Sequence, residues 1–366
     1  VTGWSWDAET QMNFATLKYS SNGVLQWAAS YDGEDNAWDG ASYLKIDGDG
    51  NVYTAGVSTS MGKYSSTYDY MLIKYSPGGE ELWTTRYDGP GQGSDRVYGL
   101  AVDDNGNAYL TGLSDVSGTE DFDYATVKYD SEGNEIWTAT YNSSDNGPDA
   151  GRDVVVDAEG NVYVTGVSSD GWTTIKYNPD GDDDWIVHYD EGVEVGAMTL
   201  DEEGDVYVTG TGLDYEGDYY ATLKYNYVGD EIWAAQHNGS EDGFELPQDI
   251  IHDESGNIYI TGVSNRDYLT VKYGQSHGSE IIEEGQLSSD IFLSIGQLHA
   301  GLRFTCILPV NQSGTITLYN SAGQRIEKAV MHGSGELRFE GISAGVYFVK
   351  LDASGVSLKR KVIVLE

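Results

Sequence analysis

The 366-residue chain has a single cysteine, Cys306, which rules out an intramolecular disulfide and any cysteine-rich metal centre. Its six histidines (His188, His237, His252, His277, His299, His332) show no metal-ligand spacing, and three of them fall beyond residue 275. No apolar run approaches the roughly 18 residues that a membrane-spanning helix needs. A Gly-x-Ser-x-Gly elbow and a phosphate-binding loop are both missing. Basic residues are few: 20 Lys and Arg stand against 60 Asp and Glu, for a formal charge of −40. That charge repels nucleic acid and anionic lipid, so both are excluded as partners.

What the chain has in abundance is Gly, Tyr, Thr, Val and Asp, and they recur in phrases. Val-Tyr-Val-Thr-Gly stands at 162–166 and again at 206–210, with close variants at 108–112 and 258–262. The closing glycine falls at 3, 56, 112, 166, 210 and 262. A Lys-Tyr pair starts at 18, 74, 128, 176, 224 and 272, and a Trp stands at 27, 83, 137, 185 and 233. Each unit reads as four strands, A to D, typified by Leu100–Asp103, Val162–Thr165, Tyr124–Tyr129 and Glu135–Thr138. Four strands per 44 to 56 residues with Gly/Asp turns are the mark of an all-β chain folded as a β-propeller. Strand B is bulky on both faces (Val162 and Val164 one way, Tyr163 the other), as a sheet covered on both sides requires.

Composition divides the chain. Residues 1–275 carry 51 acids, 12 bases and all nine Trp; residues 276–366 carry nine acids and eight bases. We expect six four-stranded repeats over 1–275, a polar linker over 276–289, and a small Ig-like β-sandwich over 290–366. The first repeat lacks strand A and the last lacks a clear strand D, so an incomplete ring is open as a reading. Because Val1-Thr2-Gly3 is the close of a phrase, a truncated or processed N-terminus is expected.

The A–B turn spans a constant nine residues (Asp47 to Gly56, Asp103 to Gly112) and the C–D turn a constant eight from Tyr to Trp. The B–C and D–A connections vary, from 10 to 18 and from 16 to 20 residues. In an up-and-down sheet these two sets lie at opposite ends. Binding residues sit on variable loops over a rigid scaffold, which makes the B–C and D–A end the expected working face.

The phrases of 1–275 resemble the bacterial SBBP-type β-propeller repeat, with its D-x-x-G-N-V-Y-V-T-G and Y-A-T-V-K-Y segments. That resemblance implies a propeller in an exported protein and no single activity. The tail is similar to the type A C-terminal sorting domain of the type IX secretion system. It is carried by Leu318-Tyr319-Asn320 with Gly323-Gln324-Arg325, by Ile342 to Val349, and by Lys359 to Leu365. This implies handling of residues 290–366 by the type IX machinery, and a secreted or outer-membrane-attached product.

Four candidate groups follow. The Asp-rich A–B turns lack the distal Glu of a calcium loop, and a Gly-Asn turn accounts for them. Eight residues ahead of each strand-A aspartate stand Asp39, Asp95, Asp149, Val193 and Glu245. The four acids read either as a carboxylate ring able to take calcium or a sugar hydroxyl, or as plain turn and strand-entry chemistry. Trp4, Trp6, Trp38, Tyr64, Tyr68, Tyr98, Trp172, Tyr215 and Phe244 are assigned to loops, where aromatic faces beside carboxylates suit a glycan or protein ligand. The repeated lysines (Lys18, Lys74, Lys128, Lys176, Lys224, Lys272) read as structural partners of nearby acids. We expect a binding or structural module without a cofactor. A carbohydrate-active enzyme with its site on the loop face is the alternative, because carboxylate pairs are plentiful there.

Overall fold

The computed structural model describes residues 1–7, 11–33, 38–61, 66–116, 118, 122–144, 146–214, 217–238, 244–265, 267–276, 280–284, 292–298, 301–307, 313–320, 323–332, 335–343, 345–353 and 356–364. All regular structure among them is β. The first sheet holds β1 (Thr2–Asp7), β2 (Gln11–Tyr19) and β3 (Leu25–Tyr31). The second holds β4 (Asp39–Ile46), β5 (Val52–Met61), β6 (Ser66–Tyr75) and β7 (Glu81–Tyr87). The third comprises β8 (Asp95–Val102), β9 (Ala108–Asp115), β10 (Phe122–Tyr129) and β11 (Glu135–Tyr141). In the fourth lie β12 (Ala150–Val156), β13 (Val162–Ser168), β14 (Gly171–Tyr177) and β15 (Asp183–Tyr189). The fifth has β16 (Gly192–Leu200), β17 (Val206–Asp214), β18 (Gly217–Tyr225) and β19 (Glu231–His237). The sixth has β20 (Glu245–His252), β21 (Ile258–Ser264), β22 (Asp267–Ser276) and β23 (Glu280–Glu284). Each runs in chain order, antiparallel throughout. These are propeller blades, one per repeat.

The chain divides into two compact units, Val1–Asp249 and Ile250–Glu366. Within the first, each blade buries its apolar face on the next. Tyr53, Ala55, Tyr70 and Leu72 of the second blade share a core with Leu100, Leu110, Ala125 and Val127 of the third. Tyr109 and Tyr124 of the third meet Val154, Val164 and Ile175 of the fourth, and Tyr163 of the fourth meets Val206, Val208 and Leu223 of the fifth. Strands β9, β13 and β17 are buried along most of their length because both of their faces are covered in this way.

A second device joins the blades. Lys74 Nζ and Trp83 Nε1 both donate to the carbonyl of Ser131, in the C–D turn of the next blade, at 3.2 and 3.0 Å. The same pair of bonds runs from Lys18 and Trp27 to Pro77, from Lys128 and Trp137 to Pro179, and from Lys176 and Trp185 to Tyr227. The turn glycine that follows has φ near +90° and lies flat on that Trp: a Cβ on Gly181 would stand 2.7 Å from the Trp137 ring. Only glycine meets both demands. The repeated lysines therefore reach across to a neighbour's turn, besides pairing with acids as Lys224 does with Asp201 and Asp205 at 3.3 and 2.8 Å.

In the second unit, β23 falls inside the stretch read from the sequence as linker and pairs with β22 as the fourth strand of its sheet. The tail forms two sheets. One is ordered β24 (Phe292–Leu298), β25 (Gly301–Ile307), β28 (Gly335–Glu340); the other β27 (Arg325–His332), β26 (Ser313–Asn320), β29 (Gly345–Ala353), β30 (Val356–Val364). Leu302 and Phe339 of the first sheet share a core with Ile316, Leu318, Val349 and Leu351 of the second.

Candidate functional site

Asp39 and Asp95 open the first strand of two successive blades, Asp149 stands immediately before that of the next, and all three are buried. Each carboxylate accepts a backbone N–H from six residues upstream: Gly33 to Asp39 at 2.8 Å, Gly89 to Asp95 at 2.8 Å, Ser143 to Asp149 at 2.7 Å. Asp39 also accepts from the Thr59 amide. Each acid thus staples its own D–A loop. In the fifth blade Val193 holds this place, and a different arrangement stands beside it: Tyr189 and Tyr219 both donate to Glu191, at 3.1 and 2.6 Å. Glu245 is buried too, and its carbonyl accepts from Thr211.

Three residues past each of these positions the strand bulges. The register slips between Ala41 and Tyr43, Val97 and Gly99, Gly151 and Asp153, and Val195 and Ala197. The extra residues are Ser42, Tyr98, Arg152 and Gly196, and the same count in β20 reaches Gln248. A bulge frees one side chain from the ladder and re-aims it. It also explains the phrase glycine. Gly112 lies opposite Val97, and a Cβ there would stand 1.9 Å from the Arg96 carbonyl; Gly56 and Gly166 meet the carbonyls of Gly40 and Ala150 at 1.9 and 2.1 Å. Sequence reasoning missed the bulges, although a glycine inside a strand pattern is their ordinary sign.

The bulge residues are exposed at Ser42 and half-buried at Tyr98, Arg152 and Gly196; Gln248, at the matching count in β20, is exposed. The Arg152 guanidinium lies 4.6 Å from the centre of the Tyr98 ring. One blade back, Arg96 stacks on Tyr68 at 4.7 Å, and Trp38 meets the edge of Tyr68 at 5.5 Å. Trp38 also donates its indole N–H to Met12 Sδ. Among the described residues these aromatics and the exposed Phe244 stand at the loop end.

Others are placed differently. Trp172 belongs to β14 and is buried between Gly192 and Gly210, its ring 5.2 Å from Tyr189. Trp4 and Trp6 are exposed but lie in β1 rather than in a loop. Tyr64 and Tyr215 are outside the described residues.

Electrostatically the site is mixed. Burial pushes Asp95 up to about 6, against the opposing pull of Ser114 and the Gly89 amide. Asp153, next to Arg152, is also raised to about 6 by burial, while its carboxylate accepts from the amides of Met198 and Val154 at 2.8 and 2.9 Å. One carboxylate oxygen each of Asp69, Asp88 and Asp95 lie within 4.8 Å of one another, and Arg86 forms an ion pair with Asp69. That guanidinium supplies at Asp69 the positive charge such a group calls for.

Two family models match the chain. Residues 83–118 match the Beta-propeller repeat (SBBP), and residues 296–365 the Secretion system C-terminal sorting domain. No curated protein matches it. Among solved structures it is similar to a protein from Lactobacillus plantarum, with 11% identity, 93% of this chain and 98% of that one covered, and a TM-score of 0.49. It is also similar to virginiamycin B lyase from Staphylococcus aureus (12% identity, 88% and 94% covered, TM-score 0.43). A third is the β-propeller domain of the Trilobed protease from Pyrococcus furiosus (8% identity, 89% and 95% covered, TM-score 0.40). Likenesses at this level carry no argument about activity. With its blades, its matched repeat and its matched tail, the chain is a β-propeller built on the SBBP repeat that carries a type IX C-terminal sorting domain, by which it is exported and attached at the cell surface.

Proposed function

We propose that the protein is a binding module displayed at the cell surface, and that it meets a glycan through the loop ends of its first strands. One observation carries this reading. The bulge recurs on the same backbone in successive blades, yet its residue is Ser42, Tyr98, Arg152, then Gly196, while the Asp, Gly, Lys and Trp around it repeat. Positions that hold the fold stay the same from blade to blade. Gly196 is held by the nearby Pro247 carbonyl, but positions that contact something else are free to differ, and Ser42, Tyr98 and Arg152 are solvent-accessible. The loop aromatics Trp38, Tyr68 and Phe244 add apolar surface for sugar faces.

The test is a glycan array probed with the labelled full-length chain, with every retained saccharide then incubated and assayed for new reducing ends or unsaturated products. Retention of one saccharide class without product release, weakened by Tyr98→Ala together with Trp38→Ala, supports the module. Product release would turn the assignment to an enzyme, and no retention across the array would remove glycan as the ligand.

A further inference from the structure

We infer that Arg152 is an anchor for a carboxylate, so that the saccharide taken at the bulge positions is an acidic one; this rests on the reading of that surface as a glycan site. The first argument is an absence within an acidic domain. Residues 1–275 contain 51 Asp and Glu, yet among the described residues none forms an ion pair or hydrogen bond with Arg152. Its Nε is buried and has no acceptor. A guanidinium stays charged at any physiological pH, and leaving even this one donor dry and unpaired is costly. Asp153 is adjacent in sequence but accepts from the Met198 and Val154 amides instead.

The second argument is geometry. Arg152 is the extra residue of its bulge, and Tyr98 is the extra residue of the blade before. The ring 4.6 Å away holds the guanidinium by its face. Face stacking leaves the N–H edges for an acceptor in the guanidinium plane, and a carboxylate fills that edge with two parallel bonds where a hydroxyl fills it with one. Tyr43, packed against the core shared by the second and third blades, lies within electrostatic reach of Tyr98 and Arg152.

The third argument limits the ligand. A domain with this net charge repels dense polyanions at long range. Screening confines that repulsion to about 8 Å at physiological ionic strength. An isolated carboxylate on an otherwise neutral saccharide reaches Arg152 at small cost, whereas a run of adjacent charges does not. The chemistry is therefore that of a sparsely carboxylated glycan, such as one with a single uronate per repeat.

Isothermal titration of the full-length chain decides the matter with three probes: a trisaccharide bearing one glucuronate, the same trisaccharide reduced to glucose at that position, and an Asp/Glu peptide. The parent should bind the glucuronate form about tenfold more tightly than its neutral counterpart. Arg152→Gln should abolish that preference, bringing the glucuronate form down to the affinity of its neutral counterpart, and Arg152→Lys should keep only part of it. Equal binding of the two sugars by the parent overturns the anchor and leaves the glycan site standing. No binding of either sugar overturns both. Binding of the peptide alone, lost in Arg152→Gln, overturns the saccharide as the ligand.

Discussion

At the scale of the residue, Asp95 and Asp153 tie the site to pH. An unfolded aspartate titrates near 3.8, whereas burial holds each of these near 6 in the fold. The folded state therefore binds extra protons between those values. The contribution of each group is fully present below about pH 4 and is lost as pH rises through 6, by roughly 1–3 kcal/mol. Asp95→Asn keeps an acceptor for the Gly89 amide and removes the titration. Urea midpoints measured from pH 4 to 8 should fall less steeply for Asp95→Asn than for the parent, and parallel curves would refute burial as the cause. The phrase glycines make a second case. Gly112→Ala drives a Cβ into the Arg96 carbonyl and should cost about 1–3 kcal/mol, whereas Gly48→Ala meets nothing within 4 Å and should cost far less. Equal urea midpoints for the two variants would mean that the bulge does not impose the glycine.

At the scale of the element, the Lys–Trp clasp makes its own prediction. Trp137 donates to Pro179, lies under Gly181 and meets Tyr177 at 6.0 Å. Trp137→Ala should cost about 2–4 kcal/mol, less than a fully buried Trp because the ring is half-covered. Lys128→Met, which removes one bond to the same carbonyl, should cost about 1 kcal/mol. If the lysine change proves the larger in calorimetry, the clasp works through charge and not through packing.

How far the strands could be read depended on their alternation. Strands B, C and D were legible, because bulky residues on both faces of Val162–Thr165 and the regular Tyr124–Tyr129 run leave one register. Strand A was read too short, as Leu100–Asp103, when β8 begins at Asp95. The bulge at Tyr98 shifts the inward phase by one, so Asp95 and Val97 face inward without appearing to belong to the same strand as Leu100. The staple acids were read at the strand entry, where they stand, but the same slip hid Arg152. Trp172 was misplaced for a different reason. Its B–C connection is a tight turn at Ser169 and Asp170, so β14 starts at Gly171 and puts Trp172 opposite Tyr189, where Tyr124 stands opposite Tyr141. The ten residues from Gly166 to Lys176 leave no loop there to carry it, and that short turn decided its burial.

At the scale of the whole molecule, sequence and structure divide the work between two kinds of region. The blades repeat one scaffold, four of them with a bulge residue that differs, and the tail supplies an address. The central claim is that this propeller is delivered to the cell exterior by residues 290–366. The direct measurement is protease shaving and fractionation of cells that possess the secretion system, expressing the full chain or a chain ending at residue 289. The full chain should be cleaved from intact cells, and the shortened chain should stay in the periplasm, protected from the added protease. Equal cleavage of both chains from intact cells would contradict the account.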